Sequence, residues 1–122
     1  MNQSPHSAAL DGLFQALADP ARRGMVDRLC RGPASVGELA KPLDMTLSAV
    51  VQHLKVLEAS GLVRSRKQGR VRMCEIQSAA IESVERWLAA RRSQWQARFD
   101  RLGDYLAEQD QPKEPRKPTK KR

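Results

Sequence analysis

Pro42 constrains this chain more than any other residue, because it interrupts a helical stretch that would otherwise run from Ser35 to Gly61. Ser35-Val36-Gly37-Glu38 is a capping box: the Ser hydroxyl can accept from the backbone N–H of the third helical residue, and the Glu carboxylate can reach back to the Ser N–H. A helix therefore opens at Ser35. Pro42 cannot continue it and restricts Lys41 before it. Leu43-Asp44-Met45 makes a tight connection, Thr46 caps a second helix that reaches Ser60, and Gly61 supplies the left-handed position beyond its end. A short capped helix, a tight turn and a second helix of about fourteen residues form a helix-turn-helix.

The period then changes. From Leu62 to Ile76 the residues alternate, with Val63, Ser65 and Lys67 out of phase with Arg64 and Arg66, and Val71, Met73 and Glu75 alternating on the return. Gln68-Gly69 turns the chain, so the stretch reads as a β-hairpin. A hairpin placed directly behind a helix-turn-helix is the wing of a winged helix.

Upstream, Leu10, Leu13, Phe14 and Leu17 recur at helical spacing and predict a helix over Ala8–Ala18. Asp19-Pro20 stops it and starts the next, Asp as N-cap and Pro at the first helical position. That second helix runs to about Arg31, with Met25, Val26, Leu29 and Cys30 facing inward, and Gly32-Pro33 ends it. Downstream, one long helix spans Ala79–Gln109, with Ile81, Val84, Leu88, Trp95, Phe99, Leu102 and Leu106 on its apolar stripe and a break at Arg91 and Arg92. Such a stripe exceeds what so small a domain can cover, which predicts a second subunit as its acceptor. The expected fold is mainly α with a small β-hairpin: about five helices plus a two-stranded wing. Residues 1–7 are expected as a flexible N-terminus, 8–109 as the DNA-binding and dimerisation domain, and 110–122 as a disordered basic tail with nothing apolar to bury.

Charge sharpens this reading. The net charge is +8 over 122 residues, but Lys113–Arg122 carries six bases and one acid. The folded part is thus left with only a small excess, unlike a uniformly basic packaging protein. What matters is local: Arg64, Arg66, Lys67, Arg70 and Arg72 fall within nine residues that contain no acid. A run of that density suits phosphate contacts, although a solvated hairpin would also carry it. The two cysteines, Cys30 and Cys74, give neither a disulfide framework nor zinc spacing. Cys30 reads as a core residue and Cys74 as a wing-strand residue, with a redox pair the weaker alternative. No apolar signal stretch or membrane-length segment is present, which predicts a soluble, cytoplasmic protein without a membrane partner. Nucleophile–base pairs and Gly-rich phosphate loops are missing, so no enzyme activity, metal or cofactor is expected.

On the second helix of the motif, Val50, Leu54 and Leu57 share one arc, flanked by Leu47 and Val51, and that arc is core. The opposite face carries Ser48, Gln52 and Lys55, with Ala49 beside them and Thr46 at the cap. These occupy the N-terminal half, the part of a recognition helix that meets base edges in the major groove. Gln52 can make two hydrogen bonds to adenine, Ser48 can bond a base or a phosphate, and Lys55 is placed for a phosphate. Alone this face would suit an ordinary solvated helix; with the capping box before it and Arg66, Lys67, Arg70 and Arg72 after it, double-stranded DNA is the expected partner. His53 lies nearer the core edge, where a hydrogen bond to the protein's own backbone competes with a base contact.

Three segments resemble the ArsR family of bacterial repressors: Leu17-Ala18-Asp19-Pro20-Ala21-Arg22-Arg23, His53-Leu54-Lys55-Val56-Leu57-Glu58-Ala59-Ser60-Gly61-Leu62-Val63, and Gly69-Arg70. The similarity covers roughly residues 8 to 108. It implies a winged-helix homodimer joined through its first and last helices, with Leu10, Leu13, Phe14, Leu88, Trp95, Phe99, Leu102 and Leu106 at the interface, and operator binding that blocks transcription. Val51 stands where many members have Ser, and Gln52 where they often have Arg, which implies a different operator preference. The family's Cys-x-Cys metal ligands would fall at Ala40 and Pro42, and no histidine follows His53. The resemblance is therefore to the metal-independent branch. An architectural DNA-binding protein without sequence preference is the alternative, favoured by the lysine-rich tail and opposed by the small charge of the folded part and by Gln52.

Overall fold

The computed structural model describes residues 5–110; the tail expected beyond them lies outside the described residues. The first helix, α1 (Pro5–Ala16), begins ahead of the expected Ala8, so Pro5, His6 and Ser7 are helical rather than an irregular arm. Proline at a first helical turn loses no hydrogen bond, because that N–H has no helical partner. Next, α2 (Pro20–Leu29) starts from Asp19, whose carboxylate accepts the Arg22 N–H at 3.1 Å. The capping box at Ser35 forms as expected and opens α3 (Val36–Ala40), after which Lys41–Leu43 tighten into a single 3-10 turn around Pro42. Asp44 then takes a left-handed conformation (φ 51°), a state that Asp tolerates better than most residues, and the chain turns into α4 (Leu47–Ala59). Thr46 caps α4 by accepting the Ala49 N–H at 3.1 Å, and Gly61 follows its end at φ +85°.

The hairpin is where the sequence reading was incomplete. Alongside β2 (Val63–Gln68) and β3 (Val71–Ile76) runs a third strand, β1 (Ala34–Ser35), in the order β1-β3-β2. It is antiparallel to β3, with Ala34 opposite Cys74 and Ser35 opposite Met73. The wing is thus a three-stranded sheet rather than a two-stranded ribbon, and its third strand is the pair of residues that leads into the capping box. In the β2–β3 register Gln68 pairs with Val71, so the loop is Gly69-Arg70, one residue later than expected. Only Gly69 has positive φ there (+65°), the pattern of a type II′ hairpin turn.

A single aliphatic core joins these elements up to Arg86. Leu10, Leu13 and Ala16 of α1, Met25, Val26 and Leu29 of α2, Leu39 of α3, and Val50, Leu54 and Leu57 of α4 are buried together with Ala34, Leu62, Val63 and Cys74. Leu10 and Leu13, expected at a subunit interface, are therefore core residues of their own chain, since the α1 stripe turns onto α4; Phe14 on the same helix is 38% exposed. Cys30, expected in the core, is exposed because α2 ends at Leu29 and leaves Cys30 as its C-cap.

The last helix, α5 (Ser78–Asp110), closes the chain. Its first turns contribute Ala80, Ile81 and Val84 to the edge of the core. From Trp87 the chain forms a second unit in which every described residue is exposed. No helix among the described residues is long and apolar enough to cross a membrane.

Candidate nucleic-acid interface

Core closure decides which residues of α4 remain outside. With Val50, Leu54 and Leu57 pointing inward, Ser48, Gln52 and Lys55 are left exposed, and Ala49 is half-buried beside them. The expected reading face therefore exists as a surface. Leu47, expected on the flank of the core, is instead 56% exposed at the first turn, next to Thr46. Sequence reasoning missed it because an apolar residue beside an N-cap is normally assigned to packing. An exposed aliphatic side chain at that point is chemically suited to a thymine methyl group.

His53 resolves differently from both sequence alternatives. It is half-buried, and its Nδ1 lies 3.4 Å from an Arg22 Nη and 3.9 Å from an Asp19 carboxylate oxygen. The same Arg22 guanidinium donates to the carbonyls of Ala16 at 2.7 Å and Gln15 at 3.1 Å. Asp19, Arg22 and His53 thus tie the end of α1 and the start of α2 to the middle of α4. The Arg22 backbone N–H, aided by the charges of His53 and Arg22, holds the Asp19 carboxyl below its ordinary range. The matching sequence segments around Asp19 and His53 meet here, a contact that their separation in sequence concealed.

The five bases of the hairpin are not equivalent. Arg64 is paired with Glu75 at 2.8 Å, and Arg66 reaches the other oxygen of that carboxylate at 3.9 Å. These two cations hold the Glu75 carboxyl low, Arg64 contributing most. Arg72 donates from Nε to the Ser65 hydroxyl at 3.0 Å and from Nη2 to the Glu58 carboxylate at 3.4 Å, while the Ser65 hydroxyl donates to the same Glu58 carboxylate. Arg72 therefore braces the wing against the C-terminal half of α4 instead of standing free for a phosphate. The hydrophobic alternation concealed this pairing, since Glu58 and Arg72 belong to different elements. Lys67 and Arg70, by contrast, are exposed at the hairpin's far end with no ion pair among the described residues. Between α4 and the wing, Val36, Val51, Leu54, Lys55, Glu58 and Arg72 line a shallow hollow, mostly apolar. The polar α4 face and the free wing cations belong to one unit joined by these contacts.

Known proteins match this arrangement. A family model described as a helix-turn-helix domain matches residues 17–66. The HTH-type transcriptional regulator Rv2034 of Mycobacterium tuberculosis is 43% identical over 74 residues, covering 61% of this chain and 69% of that protein. Among solved structures, the ArsR family transcriptional regulator RHA00566 is 51% identical with a TM-score of 0.70, covering 79% of this chain and 97% of that one. A homodimeric winged helix-turn-helix DNA-binding domain from Mycobacterium bovis, described as a possible ArsR-family regulator, is 25% identical with a TM-score of 0.58, covering 74% of this chain and 89% of that one. These relatives are transcriptional regulators rather than enzymes. On the strength of that coverage and of its own winged helix-turn-helix, this chain belongs to the ArsR family of DNA-binding transcriptional regulators.

Proposed function

We propose that the protein is a cytoplasmic, homodimeric repressor that binds an inverted-repeat operator and blocks transcription without using a metal. The observation that carries this reading is the pairing, on one unit, of an exposed polar face on the N-terminal half of α4 with unpaired cations on the wing. A major groove admits one helix, and its base edges offer hydrogen-bond partners to side chains such as Gln52 and Ser48. Thr46, Ala49 and Lys55 flank that face, and Lys67, Arg70 and Arg66 supply phosphate or minor-groove contacts. Arg72 and His53 act through the protein, by holding the wing and α2 against α4.

Residues 8–109 act as the combined DNA-binding and dimerisation domain. Two reading helices related by a two-fold axis call for two half-sites, which is why the operator is an inverted repeat. Exposed Leu88, Trp95, Phe99, Leu102 and Leu106, with Phe14 of α1, support a second copy as the partner. Independence from metal is supported by Ala40 and Pro42, whose side chains carry no donor atom at the positions where the resemblance puts the family's Cys-x-Cys ligands.

Selection of bound duplexes from a random pool tests the reading. An enriched inverted repeat is expected; enrichment of nothing would favour architectural binding without sequence preference. Zinc, cadmium and arsenite should leave the protein on its operator. Stoichiometric zinc in the purified protein, together with zinc-dependent release of DNA, would overturn the metal-independent assignment.

A further inference from the structure

A lone exposed aliphatic side chain is ordinary on a protein surface; Leu47 is set apart by its neighbours. It occupies the first position of α4, directly after the Thr46 cap, and is 56% exposed. Val51 follows one turn later, half-buried, on the wall of the hollow between α4 and the wing. Ser48 and Gln52, both exposed, are likewise one turn apart. With about 3.6 residues per turn, these two pairs form adjoining strips along the N-terminal half of α4, one apolar and one hydrogen-bonding. No acid occurs between Thr46 and Leu57, and exposed Lys55 continues the polar strip.

The edge of a base pair in the major groove divides in the same way. Adenine offers N7 and its N6 amino group to a Gln side chain, whereas thymine offers O4 and a C5-methyl group that no other base carries. A strip of Leu and Val beside a strip of Ser and Gln therefore fits a groove edge where a thymine methyl adjoins hydrogen-bonding groups. An aliphatic side chain has no such partner on cytosine, whose edge carries an amino donor and no methyl. Position matters as well, because the N-terminal residues of a recognition helix are the ones that reach base edges. Val56, the other large exposed apolar side chain of α4, is 40% exposed but lies nine residues further on, about 13 Å along the axis.

We infer that Leu47 is a specificity-determining residue whose side chain packs on the C5-methyl group of a thymine in each half-site, with Val51 closing the contact on the core side. The inference rests on the sequence-specific reading proposed above and adds the base, and the group on it, that is recognised. Leu47 and Gln52 are separated by about 7.5 Å along the helix axis, so the thymine falls within about two base pairs of the adenine that Gln52 reads. Gln52 selects that adenine, and Leu47 rejects cytosine at the thymine position.

Deoxyuridine tests this, because it pairs as thymine does and lacks only the methyl group. In the duplex enriched from a random pool, each thymine of one half-site is replaced in turn, and binding of the full chain is measured. One replacement should weaken binding about fourfold, the worth of one buried methyl group. Leu47→Ala should reduce that loss to below about twofold, and Val56→Ala should leave it unchanged. A loss that Leu47→Ala retains in full, or an enriched duplex with no sensitive thymine, would overturn the methyl contact while leaving sequence reading intact. A pool that enriches nothing would remove the sequence reading itself. Because Leu47 is exposed, Leu47→Ala should unfold at the unaltered thermal midpoint; a lowered midpoint would assign Leu47 to packing instead.

Discussion

Helices α4 and α5 both carry an apolar stripe, yet one is covered and the other bare. On α4, Val50, Leu54 and Leu57 are at most 2% exposed; on α5, Leu88, Trp95, Phe99, Leu102 and Leu106 are at least 50% exposed. The first stripe is spent inside its own chain, and what remains outside α4 is largely polar and flanked by cations, with Leu47 and Val56 its large exposed apolar side chains. The second leaves its apolar side outside. Two leftover surfaces of opposite chemistry suit two different partners, an anionic duplex for α4 and a second protein surface for α5.

The sharpest way to break this comparison is to damage one stripe at a time. Leu57→Ala opens a cavity in a closed core and should cost about 2–5 kcal/mol of stability. Leu102→Glu should instead raise the dimer dissociation constant by about a hundredfold or more, and Leu88→Glu should act in the same direction, because a charge then sits in an apolar seam. Thermal unfolding should be compared at dilutions where the unaltered protein is itself dissociated, since dimerisation stabilises by mass action. If Leu102→Glu lowers the midpoint as much as Leu57→Ala does, the α5 stripe belongs to the chain's own core after all.

A smaller effect separates parts of the first surface. Gln52→Ala should lose about 1–3 kcal/mol on the operator and little on scrambled duplex. Arg70→Ala should weaken binding to both alike and reduce the salt slope by about one. Because Arg72 is held by Glu58 and Ser65, Arg72→Ala should lower affinity with less change in slope than Arg70→Ala. Equal losses on both duplexes for Gln52→Ala would mean that α4 does not read sequence.

The smallest effect expected is electrostatic and confined to the DNA-binding unit. Asp19, Glu38 and Glu75 are held below their ordinary range by the Arg22 N–H, the Ser35 N–H and the Arg64 guanidinium respectively. A carboxyl depressed on folding stabilises the native state above its unfolded pKa and loses that contribution as pH falls through its folded value. Stability should therefore be flat near neutrality and decline once pH drops below the ordinary carboxylate range. Denaturant titrations across that range should show Glu38→Gln with a shallower decline; an unchanged slope would remove the capping box from the account.

Legibility followed the range of the interaction. The helices, their caps and the left-handed glycine at 61 were readable because each depends on residues within one turn. The two-residue strand Ala34–Ser35 was not, since two residues show no period and its identity lies wholly in pairing with Met73 and Cys74. The reading face of α4 was visible from its wheel. The bracing of Arg72 by Glu58, and of His53 by Arg22 and Asp19, was not.

What the sequence determined by itself was thus the order of the helices and the hairpin and the place of the break at Pro42, because backbone hydrogen bonding, capping and steric limits at proline and glycine act locally. The tertiary structure alone decided which apolar residues were available to another molecule and which cations were free to meet a phosphate. Leu10 and Leu102 both sit on helical apolar stripes, but only packing distinguishes a side chain that has found its cover from one that has not. Arg70 and Arg72 are two residues apart with the same charge; a carboxylate brought from another element neutralises one and leaves the other exposed, and no local rule encodes that distance.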